Sequence, residues 1–217
     1  MGELVEFPSN GSTGGGYLAP AHEGAGLGVV VIQDFSGLVD HIIDVCDRLS
    51  AEGFTALAPD LHHGRTVPDS KPDEAAKDLS GAIDFLQAHQ SVRGHGVGVV
   101  GFGMGGGLAM WLATLRPDAV RAAVPFYGIA PRGTEPNWPA VTAAVEGHYG
   151  EQDDLADPES VAAFEKQLRD LGKDVRVFTY PGTGHAFFDD TRLESYDDEA
   201  ARQAWIRTLE FLRAQLG

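Results

Sequence analysis

The segment Val97-Gly98-Val99-Val100-Gly101-Phe102-Gly103-Met104-Gly105-Gly106-Gly107 constrains the fold more than any other part of this chain. β-Branched residues lead into glycines at alternate positions and then into a glycine triplet. The apolar run from Gly96 to Val100 predicts a buried strand, the glycines a very tight turn, and Leu108–Leu115 a helix. A strand turned so sharply into a helix is the first half of a parallel βαβ unit, whose sheet must be covered on both faces.

The flanking sequence repeats that alternation. Gly28–Gln33 is a continuous apolar run that predicts a strand buried on both faces. Asp40–Glu52 has helical spacing of Ile42, Ile43, Cys46 and Leu49, and Gly53 ends it. Further strands are predicted at Phe54–Ala58, Val120–Phe126, Val141–Tyr149 and Asp174–Tyr180, and further helices at Asp73–His89, around Ser160–Leu171, and at Glu199–Leu212. Near the N-terminus, Leu4–Phe7 and Tyr17–Ala19 read as short strands around a turn at Gly14-Gly15-Gly16. The expected fold class is α/β, a mostly parallel central sheet with helices on both faces, in one domain over residues 1–217. In such sheets chemistry lies at the carboxyl ends of the strands. The loops to examine are therefore Gln33–Leu38, Gly101–Gly106, Tyr149–Asp154 and Pro181–Asp190.

Composition narrows the partners. The 217 residues contain 16 Lys and Arg against 32 Asp and Glu, a formal charge of −16. A surface so acidic repels phosphate backbones and anionic lipid, so no nucleic-acid or membrane partner is expected. The same excess of acid serves solubility or adaptation to salt. One cysteine, Cys46, permits neither an internal disulfide nor a Cys-based zinc site, and its place on an apolar helix face predicts a packed core thiol. No apolar run approaches the length of a membrane span, and the first 20 residues lack the pattern of a signal peptide. The expectation is a cytoplasmic monomer or homodimer with a small-molecule substrate and no cofactor.

The glycine turn admits two chemical templates. Gly101-x-Gly103-x-x-Gly106 satisfies a dinucleotide pattern, but the next strand ends in Pro125-Phe126-Tyr127, without the acid that would hold a ribose. The other template is the nucleophile elbow of α/β-hydrolases, in which small flanking residues such as Gly101 and Gly105 make room for a strained corner. Gly103 stands at that corner, where Ser or Cys is expected; glycine adopts the conformation easily but has no side chain with which to attack a carbonyl. Two later loops favour this template. Tyr149-Gly150-Glu151-Gln152-Asp153-Asp154 offers an acid after one strand, and Pro181-Gly182-Thr183-Gly184-His185-Ala186-Phe187 a histidine after the next. Their order is that of the hydrolase acid and base, where the acid fixes the tautomer of a proton-carrying imidazole. Asp153 is preferred to Asp154 for its place in the turn.

Together the motifs Gly-Phe-Gly-Met-Gly-Gly, Gly-Glu-Gln-Asp and Gly-Thr-Gly-His-Ala-Phe resemble those of the dienelactone hydrolase family, as do Gln33-Asp34-Phe35-Ser36-Gly37 and Ala58-Pro59-Asp60-Leu61. The resemblance implies an α/β-hydrolase fold acting on a small ester or lactone, with Gly103, Asp153 and His185 at the catalytic positions. It implies an oxyanion hole formed by the backbone N–H groups of Phe35 and Met104. Asp34 stands where the family has a Glu touching the resting nucleophile; opposite Gly103 it has no such side chain to meet and is free to hold a water. The family's arginine soon after the histidine has no counterpart at the matching place, which is Asp189. Ser36, Arg65, Tyr127, Trp138 and Phe187 lie in loops over the strand ends and are candidates to line a pocket. Ser36 is not expected to be a nucleophile, because no histidine should reach it. His62-His63 is not expected to bind metal, since adjacent residues rarely converge on one ion. Three functional readings remain open: an esterase or lactonase whose nucleophile has been substituted, an enzyme that activates water or moves a proton without a covalent intermediate, and a noncatalytic binding protein.

Overall fold

A computed structural model describes residues 2–9, 11–64, 72–130, 134 and 136–217. Its framework is an eight-stranded sheet: β1 (Glu3–Ser9), β2 (Ser12–Ala19), β3 (Gly26–Ile32), β4 (Phe54–Pro59), β5 (Val92–Phe102), β6 (Val120–Phe126), β7 (Ala144–Gly150) and β8 (Val175–Tyr180). The spatial order is β1-β2-β4-β3-β5-β6-β7-β8. Strands β1 and β2 pair antiparallel with each other, and β2 pairs antiparallel with β4; every pairing from β4 onward is parallel.

Among the described residues, five helices cover the sheet: α1 (Asp40–Ala51), α2 (Pro72–Ala88), α3 (Met104–Leu115), α4 (Pro158–Asp170) and α5 (Asp198–Leu216). Strand geometry decides which face each residue serves, because successive side chains point to opposite sides. Val29 and Val31 join the core under α1 and α5, with Ile42, Val45, Leu49, Ala204 and Leu212. Val30 and Ile32 join the opposite core, with Leu79 and Ile83 of α2, Leu108 and Leu112 of α3, and Phe164 of α4. Both faces of β3 are thus dry, which is why it reads as an unbroken apolar run. Cys46 is fully buried in the first of these cores, and burial raises its thiol pKa, as suits an inert packed side chain.

The glycine triplet near the N-terminus departs from expectation. Gly14, Gly15 and Gly16 lie within β2, opposite Phe7, Glu6 and Val5, and the reversal falls earlier, at Gly11 with φ 101°. The reason is crowding. A Cβ on Gly14 would lie 2.8 Å from the Phe7 ring, and one on Gly16 would lie 2.6 Å from the Ala58 carbonyl oxygen. These glycines let β2 fit between β1 and β4.

Strands β3, β5, β6, β7 and β8 are consecutive neighbours, all running the same way. Their carboxyl ends therefore bring Asp34, Gly103, Tyr127, Asp153 and His185 to one edge of the sheet, one residue from each following loop.

Candidate active site

The turn after β5 is built by backbone contact. Gly103 has φ 53° and ψ −115°, a corner between strand and helix that a side-chain-bearing residue enters only with strain. Its N–H donates to the Phe126 carbonyl at 3.0 Å, and its own carbonyl accepts from the N–H of Gly106 at 3.0 Å. A Cβ on Gly101 would lie 2.0 Å from the Gly105 carbonyl oxygen, so the α3 backbone occupies the space a side chain would need. Met104 is the first residue of α3, and its N–H is one of those left without an intrahelical partner.

That N–H points at Asp34. The Asp34 Oδ1 accepts from the N–H of Phe35 at 2.6 Å and, more weakly, from that of Met104 at 3.4 Å. The same oxygen would lie 2.5 Å from a Cβ placed on Gly103. One carboxylate oxygen thus fills the point where the two N–H groups converge, and crowds the space that a side chain at position 103 would take. The Phe35 side chain is largely exposed, so the polar contact to Asp34 comes from its backbone.

Arg192 holds the other side of Asp34, although no motif in the sequence pointed to it. Its Nη2 donates to Asp34 Oδ2 and to Ser36 Oγ, each at 3.0 Å, while its Nε pairs with Asp189 Oδ2 at 3.0 Å. The one available signal was composition: Arg192 is the sole basic residue between Asp189 and Asp198. Asp189, noted in the sequence only because arginine was expected there, is thus the residue that orients the arginine.

At the far end of the edge, His185 Nδ1 lies 2.9 Å from Asp153 Oδ2. Asp153 is 1% exposed, and its Oδ1 accepts from the N–H groups of Leu155 and Ala156 at 2.8 and 2.9 Å. Burial opposes its ionisation, but the bonds from His185, Ala156 and Leu155 outweigh burial and hold the carboxyl below the usual carboxylate range. Nδ1 is engaged by Asp153, which leaves Nε2 as the nitrogen available for chemistry. Asp153, and not Asp154, is the partner.

Tyr127 lies between the two groups. Its ring is edge-on to His185 at 5.0 Å between centroids, and its backbone is in the left-handed region at φ 41°. Burial, reinforced by Asp34 and Asp189, keeps its phenol pKa well above the ordinary value, so it stays protonated.

Other sequence candidates fall elsewhere. Phe187 is fully buried in the core against Tyr127 and Tyr180, not in a pocket wall. Trp138, on a short 3-10 turn, packs edge-on against Phe164 of α4, and the two line an open cleft with Ile129, Ala130 and Pro139. Arg65 lies outside the described residues. His62 and His63 part company: His63 Nε2 pairs with Asp78 at 3.0 Å, whereas His62 lies beside Gly37.

Comparison with known proteins places this geometry. The model of the dienelactone hydrolase family matches residues 15–216. The chain belongs to the dienelactone hydrolase family. It is 34% identical to Protein usf of Aquifex pyrophilus over 234 aligned positions, covering the whole of both chains. It is 32% identical to a Bradyrhizobium protein named "Probable 2-oxo-3-(5-oxofuran-2-ylidene)propanoate lactonase", covering 99% of this chain and 94% of that one. Among solved structures, a Klebsiella pneumoniae protein assigned as a dienelactone hydrolase superposes with a TM-score of 0.89 at 26% identity, covering 98% of each chain. The α/β-hydrolase fold of this dienelactone hydrolase family member thus accounts for its sheet order and helical layers. Among the described residues, no helix is long and apolar enough to cross a membrane.

Proposed function

We propose that this dienelactone hydrolase family member hydrolyses a small carboxylic ester or lactone by activating water, without an acyl-enzyme intermediate. In this reading Gly103 occupies the nucleophile position, Asp153 and His185 are the acid and base, and the N–H groups of Phe35 and Met104 form the oxyanion hole. The observation that carries the reading is the placement of Asp34 Oδ1. An anionic oxygen sits where both N–H groups converge, standing in for the oxyanion of a tetrahedral intermediate. The site can thus hold the charge that ester hydrolysis generates, using backbone alone.

The steps follow from the chain's own groups. A substrate carbonyl displaces Asp34 from the two N–H groups, and Arg192, already on Oδ2, retains the displaced carboxylate. His185 Nε2 takes a proton from water as the water oxygen bonds to the carbonyl carbon, and the carbonyl oxygen becomes the oxyanion. Collapse of the intermediate breaks the bond to the leaving oxygen, which receives that proton from His185. Asp153 keeps the imidazole in the required tautomer and steadies the imidazolium between the two transfers. The oxyanion hole and substrate binding remain effective when a nucleophile is lost; in serine hydrolases they alone leave a residual acceleration of roughly 10³–10⁴ over water.

The test is turnover of an activated aryl ester and of a small lactone by the unaltered chain, with mass spectrometry of the protein during turnover. Hydrolysis that falls in His185→Ala, with no acylated protein, supports the mechanism. A lasting acyl adduct would overturn its noncovalent character, and no turnover of either substrate would overturn the hydrolase reading. In that event, ligand binding without chemistry would favour a binding protein.

A further inference from the structure

We infer that His41, Asp189 and Asp190 form a binding site for a zinc-type divalent cation that ties helix α1 to the loop carrying His185. This site does not depend on the proposed hydrolysis.

Three observations carry the inference. His41, in the first turn of α1, is 4% exposed, yet neither of its ring nitrogens has a hydrogen-bond partner among the described residues. Leaving such a group unsatisfied inside a protein costs about 1–3 kcal/mol, so an orphaned imidazole calls for a partner. Its Nδ1 is aimed at two carboxylates, at 3.5 Å from Asp189 Oδ1 and 3.8 Å from Asp190 Oδ1. Those separations are too long for a hydrogen bond but suit a shared ion: bonds of about 2.0–2.2 Å at tetrahedral angles place donor atoms about 3.4 Å apart. The three donor atoms all lie within 4.8 Å of one another.

The surroundings refine the choice of ion. An imidazole with two carboxylates suits zinc better than calcium or magnesium, which prefer oxygen alone. The rings of Phe102 and Phe188 meet the imidazole in T-shaped contacts, at 5.4 and 6.0 Å between centroids, and fix its plane. Asp189 is already oriented, its Oδ1 accepting from the N–H and hydroxyl of Thr191 and its Oδ2 paired with Arg192 Nε. Asp190 is half exposed, so it can rotate inward, and the fourth position opens on its side to water. Because Asp189 holds Arg192 and Arg192 holds Asp34, an ion here would act on the active-site edge through two named contacts.

The experiment is calorimetric titration of the chelator-treated full chain with zinc chloride, alongside visible absorption of the cobalt(II) form. The expected result is one ion per chain, a tetrahedral cobalt spectrum and a higher Tm with zinc. Asp190→Asn, on the surface, and His41→Gln should each weaken binding by at least about tenfold. No saturable binding, a cobalt spectrum without tetrahedral character, or unchanged affinity in either folded variant would overturn the site. If His41→Gln fails to fold by circular dichroism, Asp190→Asn decides.

Discussion

The two ends of the active-site edge have been treated differently. At the β7–β8 end, Asp153 and His185 form a buried-acid, half-exposed-base pair with every Asp153 oxygen satisfied. At the β3–β5 end the backbone has the elbow's geometry, but the chemistry is inverted: the corner is bare and a carboxylate from the neighbouring loop leans into it. On the proposed reading, proton-transfer machinery and the nucleophile are separable parts of this fold. The former needs particular side chains in register, whereas the charge-stabilising part needs only N–H groups, which survive any change at position 103.

The sharpest way to break this comparison is to remove the intact end. His185→Ala should lower ester turnover by about 10²–10⁴, the range of a positioned general base, with little change in folding measured by circular dichroism. Next comes repair of the bare end. Gly103→Cys alone would place its Cβ against Asp34, so the double variant with Asp34→Ala should be the faster of the two, with roughly a 10²-fold gain over the parent and a trappable acyl-enzyme. Equal rates for the single and double variants would mean that Asp34 does not obstruct the corner. A smaller effect is expected for Arg192→Ala. Without its partner Asp34 should be less firmly held, and KM should shift by up to about tenfold with kcat altered less, read from steady-state kinetics.

The weakest expected effect is on stability against pH. His148 has a lowered pKa, from burial first, so the folded state resists protonation that the unfolded chain accepts. Its contribution is fully present above about pH 6.5 and is lost as pH falls below it. Asp153, held low by its hydrogen bonds, adds a second loss only below about pH 4. Urea midpoints measured from pH 8 to pH 3 should thus decline in two stages. A midpoint flat down to pH 4 would remove buried His148 from the account.

Much of this was legible because it is written locally. The apolar run of β3 and the glycines of the β5–α3 turn have no other economical reading, since the strand must be dry on both faces and the α3 backbone fills the space that a Cβ on Gly101 would take. His185 and Asp153 were visible because each follows a strand in the expected order. What was hidden depends on contacts between distant segments. The role of Gly14–Gly16 is set by the ring of Phe7 and the backbone of β4, so the turn they suggested by composition was displaced to Gly11. Arg192 reaches Asp34 from a loop with no fixed spacing, and His41 meets Asp189 only once α1 packs beside that loop. Phe187 shows the converse: an aromatic residue near a strand end was absorbed by the core, where its ring is wholly buried.

On the proposed reading, the carboxylate lodged between the N–H groups of Phe35 and Met104 turns ligand binding into an exchange. An arriving carbonyl does not meet a vacant receptor; it competes with a tethered anion whose local concentration is fixed by a single side-chain rotation. What the site selects is therefore a difference in affinity, measured against its own aspartate, and weak carbonyl acceptors should be turned away before any proton moves.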